Sequence, residues 1–177
     1  MHCALVMTVI GRDRPGLVET VARLVTEHGG NWLESRMSRL GGQFAGILRV
    51  HVPEARQLDL VRALDALKAQ GLTVVVHPDA EGIPQPAARL MLMELVGQDQ
   101  PGIVRQISRA LAAHQVNVEE LHTECASAPM SGEVLFKARA KLLVPPGCQL
   151  GVLRQDLEKI AADLIVDLTL DEAPAKV

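Results

Sequence analysis

Aromatic side chains are scarce in this 177-residue chain, which has no Tyr, one Trp and two Phe. Sheets that read RNA stack bases on exposed aromatic rings, so the scarcity argues against that function. Basic clusters are missing as well. Lys and Arg number 18 against 21 Asp and Glu, a formal net charge of -3. A phosphate backbone demands clustered cations, so direct nucleic-acid binding is not expected. Cysteines are few and odd in number: Cys3, Cys125 and Cys148. They do not form a disulfide framework and fit a reducing cytoplasm. No apolar run approaches the ~20 residues of a membrane span. The first apolar run ends at Arg12-Asp13 without a basic leader and reads as a strand, not a signal peptide. No phosphate-binding loop, dinucleotide fingerprint, nucleophile–base pair or metal cluster stands out. Neither a cofactor nor a metal is implied, and the chain is not expected to be an enzyme.

What is present is a repeat. Gly11-Arg12-Asp13-Arg14-Pro15-Gly16-Leu17-Val18 returns as Gly97-Gln98-Asp99-Gln100-Pro101-Gly102-Ile103-Val104, with the pattern G-x-D-x-P-G-[LI]-V in both. The shift of 86 residues also carries His28 onto His114, Asn31 onto Asn117 and Glu34 onto Glu120. Beyond an insertion near Ala126–Gly132 the shift becomes 92, carrying Phe44 onto Phe136 and Val52-Pro53 onto Val144-Pro145. The same shift is expected to hold to the end, with Leu72 on Leu164 and Val74 on Val166. A collinear series with one insertion marks a duplication. Hydrophobic content of 48% supplies apolar residues for two small cores.

Each copy reads as strand, helix, two strands, helix, strand. Leu5–Ile10 has strand length, and Pro15 is expected at the first position of a helix. Leu17, Val21, Leu24 and Val25 fall on one helical face, which Gly29-Gly30 ends. Asn31–Arg39 and Phe44–Val52 flank Gly41-Gly42 as a β-hairpin. Leu60, Val61, Leu64 and Leu67 mark a second helix ending near Gly71, and Leu72–Val76 a last strand. In the second copy Leu90–Val96, the helix of Ile103, Ile107 and Leu111, the hairpin Val116–Cys125 with Val134–Val144, the helix of Leu153, Leu157 and Ile160, and Leu164–Leu170 repeat the plan. The fold class is α+β: two tandem ferredoxin-like βαββαβ modules, each an antiparallel sheet covered on one side by two helices. The expected boundaries are 1–78 and 89–171, with a Gly/Pro-containing linker at 79–88 and a frayed tail at 172–177.

With this signature on a βαββαβ plan in both halves, the chain resembles tandem ACT-domain proteins. In whole-chain layout it resembles the glycine cleavage system transcriptional repressor family. Formyltetrahydrofolate deformylases carry a similar module, but their catalytic domain has no counterpart here. The resemblance implies binding of a small amino acid, glycine first, where two modules pair. It further implies action through a separate DNA-binding regulator, and a homodimer is an open alternative.

The candidate ligand-binding residues are Asp13, Gly16, Asn31, Asp99, Gly102 and Asn117. A helix N-terminus receives a carboxylate, glycine lets a ligand approach the backbone, and an aspartate could hold an ammonium group. The competing reading is a tight turn capped by Asp. Asn31 and Asn117 read equally as turn residues tolerant of positive φ. His28 and His114 occupy helix ends, where a cap is usual. His122, Glu124 and Cys125 share a strand, but alternation puts Cys125 on the opposite face, against a zinc site. Met91 and Met93 alternate as core residues. Two rivals remain: a small enzyme with a site between the modules, and an interaction module that binds no metabolite.

Overall fold

The computed structural model describes residues 1–79, 88–127 and 132–173. The chain divides into two compact units, Met1–Ile83 and Pro84–Val177, each with its own core.

In the first unit β1 (His2–Arg12) pairs antiparallel with both β3 (Gln43–Pro53) and β4 (Leu72–Pro78), and β2 (Asn31–Leu40) adds at the β3 edge. The sheet order is β2-β3-β1-β4. Strand alternation decides what faces the helices. Leu5, Met7 and Val9 are buried beneath them, while Thr8 and Ile10 stay exposed on the other face. Helix α1 (Leu17–Glu27) buries Leu17, Val21, Leu24 and Val25. Helix α2 (Gln57–Asp65) buries Leu60 and Leu64, then tightens into a 3₁₀ segment, Ala66–Gln70, that buries Leu67 and ends at left-handed Gly71. Gly41 and Gly42, at φ 57° and 77°, form the two-residue turn between β2 and β3, a type I′ geometry that requires positive φ at both positions.

The second unit repeats the plan. Strand β5 (Arg89–Gln98) lies between β7 (Val134–Val144) and β8 (Val166–Glu172), and β6 (Asn117–Ser127) pairs with β7. The order is β6-β7-β5-β8. Helix α3 (Ile103–Ala113) buries Ile103, Ile107 and Leu111, and α4 (Leu150–Leu164) buries Leu153, Leu157, Ala161 and Leu164. Met91 and Met93 lie in this core.

Three expectations are corrected. Pro15 does not open α1. It precedes Gly16, whose φ of 89° and ψ of 1° fit the third position of a type II turn, and the helix starts at Leu17. The final shift is 94, not 92. Gly11 pairs with Leu72 and Gly97 pairs with Val166, because α4 runs through Leu164 and left-handed Ile165 takes the place of Gly71. The last strand runs Val166–Glu172 and not Leu164–Leu170. Residues 80–87 of the expected linker, 128–131 of the insertion and 174–177 of the tail lie outside the described residues.

Candidate functional site

The signature loops are fastened to the same neighbours in both units. The Asp13 amide donates to the Gly42 carbonyl at 2.9 Å, and the Asp99 amide to the Val134 carbonyl at 3.0 Å. Each loop is therefore tied to the turn or start of its hairpin. The Arg14 guanidinium donates to the Gln70 carbonyl at 3.3 Å, and the Gln100 side-chain amide donates to the Leu164 carbonyl. These two equivalent side chains tie the loop to the end of the second helix. Gly16 and Gly102 both adopt left-handed backbone, at φ 89° and 99°. A Cβ at Gly16 would meet nothing within 4 Å, so conformation and not crowding requires glycine there. The first glycine of the signature differs. A Cβ on Gly11 would lie 2.7 Å from the Gly71 carbonyl oxygen, and one on Gly97 would collide with Val166 Cγ1. These glycines let β1 and β5 sit against the neighbouring strand.

Neither α1 nor α3 has a side-chain N-cap. The N-cap residues are Gly16 and Gly102, and Asp13 is paired with Arg39. Asp13 Oδ2 lies 2.6 Å from Arg39 Nε near the end of β2. Asp99 faces the Cys125 thiol, and local desolvation followed by the Asp99 carboxylate raises that thiol's pKa above its ordinary value. Arg39 and Cys125 are equivalent positions of the repeat, because Arg39 pairs with Phe44 and Cys125 with Phe136. One aspartate thus has a cation of its own chain beside it. The other has a neutral thiol, and no ion pair to it is formed among the described residues.

The six candidates fall into separate groups. Asp13 with Gly16, and Asp99 with Gly102, share a loop. Asn31 and Asn117 begin β2 and β6 and pair with His51 and Leu143, at the opposite end of the sheet. Eight residues of strand separate Asn31 from Arg39, roughly 25 Å at 3.3 Å per residue. Within one module the asparagine and the loop are not brought together. Sequence reading missed Arg39, Cys125, Arg14 and Gln100. The shift of 86 marks each pair as equivalent; Arg14 and Gln100 lie in the loop itself, but only strand register places Arg39 and Cys125 beside it.

His28 and His114 both make contacts at helix ends. His28 Nδ1 lies 2.8 Å from the Leu24 carbonyl at the end of α1, and His114 Nε2 lies 2.7 Å from Asp156 Oδ2 of α4. On β6, His122 and Glu124 stand opposite Arg139 and Lys137, and Cys125 opposite Phe136. Among the described residues no helix is long and apolar enough to cross a membrane.

Residues 4–77 match the ACT domain family. The first unit carries that match, and the second has the same sheet order, the same helices and the same loop signature. The chain is thus two tandem modules of one α+β plan, the first of them similar to ACT domains. It resembles the glycine cleavage system transcriptional repressors: those of Escherichia coli (strain K12) and Shigella flexneri are each 28% identical to it over 121 residues. That match takes in 66% of this chain and spans 62% of the relatives' own length. Among solved structures, an unknown protein from Galdieria sulphuraria is 28% identical, with a TM-score of 0.84 over 98% of this chain and 100% of that one. A crystal structure provisionally named a glycine cleavage system transcriptional repressor superimposes with a TM-score of 0.70 at 22% identity, covering 98% of each chain, and shares the fold.

Proposed function

We propose that this protein is an amino-acid-responsive regulator, with glycine the leading ligand, that acts through a separate DNA-binding protein. One observation carries the reading. Both modules present an uncapped helix N-terminus behind a left-handed glycine, with an aspartate three residues before that glycine. Helix amides and dipole favour a carboxylate, and an aspartate favours an ammonium group, so the loop matches the two ends of an amino acid. The repressors named above support a role in glycine metabolism. The distance between loop and asparagine means that a site using both would take its asparagine from a second module. Asp13, Gly16, Asp99, Gly102, Asn31 and Asn117 are the residues we assign to such sites, and a homodimer is one way of pairing them. Three free cysteines support a cytoplasmic setting.

A thermal-shift panel of the twenty amino acids tests the reading. A one-site ligand at 100 times its Kd stabilises a fold by about 2.7 kcal/mol. If the modules melt together, the midpoint rises by roughly 5–10 °C. Glycine, serine or alanine is expected to produce that rise. A flat response at millimolar concentration would favour an interaction module without a metabolite.

A further inference from the structure

The second unit contains a cavity of about 40 Å³ between α3 and the sheet, beside β6. Met93, Leu95, Phe136, Ala138 and Ala140 form its floor, and Ile103, Ile107 and Leu111 its helical wall. All eight are buried, the most exposed being Phe136 at 8%. Val104, Val118 and Leu121 line it from more exposed positions, at 45%, 37% and 49%. The Ser108 hydroxyl is the one side-chain oxygen in the lining. A buried water needs two to four polar partners, so the space is unsuited to water although it exceeds the roughly 10–15 Å³ that one requires.

The repeat explains why the space exists. Both edge strands carry a bulge at the same place, between Trp32 and Glu34 in β2 and between Val118 and Glu120 in β6. Val118 therefore stands where the first unit has Trp32, and Thr123 where it has Met37. On the floor, Ala140 pairs with Met93 as Leu48 pairs with Met7. In the first unit Trp32 and Met37 pack against the core. In the second, the partly buried side chains packed on the core come from α3, α4, β8 and the segment before α4, and not from β6. Larger residues at Leu95, Ile107 and Leu111, in place of Val9, Val21 and Val25, recover part of the volume. The missing indole and the trimmed leucine leave the rest.

We propose that this cavity is a binding site for a small neutral molecule ending in a branched aliphatic group, of isopropyl or isobutyl size. Its lining excludes charge, since an unpaired ion would find no partner there. Its volume is that of a side-chain end, far short of the area a protein partner needs. The first unit shows the matching chemistry, because it fills the equivalent place with apolar side chains of its own. The proposal does not rest on amino-acid regulation: loop and cavity share α3 but not their ligands.

The test uses the full-length protein with labelled Ile, Leu and Val methyl groups, titrated separately with xenon and with 2-methylpropan-1-ol. Both probes are expected to shift the methyl resonances of Leu95, Ile103 and Ile107 saturably, and to leave those of Val9, Leu17 and Val21 without a saturable response. Val118→Trp and Ala140→Leu, which import the residues of the first unit, should each weaken the response at least tenfold. If one of these variants fails to fold, the other decides. The proposal is overturned by no saturable shift in the native protein, by a response to xenon without one to the alcohol, or by an undiminished response in a folded variant.

Discussion

Asp13 and Asp99 are the same residue of the same motif, yet their surroundings differ in charge. Arg39 stands beside the first, and Cys125 beside the second. A ligand ammonium at Asp13 would have to share or displace a guanidinium, whereas at Asp99 it meets an uncompensated carboxylate. We expect Asp99→Asn to weaken binding of the ligand found by the panel about 10- to 150-fold, the value of a charge-assisted hydrogen bond of roughly 1.5–3 kcal/mol. Asp13→Asn should weaken it less than about fivefold. The ion pair it removes is largely exposed and worth at most about 1 kcal/mol. Calorimetric titration of the two variants checks the difference, and unchanged affinity in both single variants and the double variant would show that the aspartates only shape the loop. The motif itself was legible, because two copies of eight residues repeat it. The asymmetry was not. It depends on which β2 or β6 side chain lies against the loop, and the 25 residues of intervening chain carry no sign of that register.

At the scale of the element, the turn before α1 and α3 shows how local chemistry misleads when one residue fits two roles. Proline suits both the first position of a helix and the second position of a type II turn. The following glycine decides, because only the turn demands its positive φ. Gly16→Ala and Gly102→Ala are therefore expected to cost about 1–2 kcal/mol each, from forcing a Cβ into left-handed backbone. The loss appears as a lower denaturant midpoint at unchanged slope. Because Gly16 has open space around it, this cost is conformational and not steric. The helices, hairpins and core faces were readable from periodicity, since each amphipathic stripe meets a single sheet face. The final register was harder to read. Helix α4 and its left-handed Ile165 shift β8 by two residues, and two residues of slip leave strand alternation unchanged.

For the whole molecule, the duplication accounts for most of the 177 residues. Two βαββαβ units occupy most of the residues, and a net charge of -3 opposes phosphate binding. The purified protein alone is expected to bind duplex DNA no more tightly than a weak non-specific level of Kd ~10⁻⁴ M. A salt-series mobility-shift or anisotropy measurement checks this, and nanomolar binding to a promoter fragment without a partner protein would contradict action through a second regulator.

The amino-acid sequence alone determined the duplication, the order of elements, the buried faces and the signature loops. Each of these is encoded by residues close in the chain, through turn chemistry and hydrophobic periodicity. Tertiary structure decided what lies across strands. It gave Asp13 a cation and Asp99 a thiol, set Asn31 and Asn117 at the far end of the sheet from their loops, and left a cavity where Val118 replaces an indole. Those outcomes follow from strand register and from the fit of side chains many residues apart, and periodicity along one segment holds no record of either.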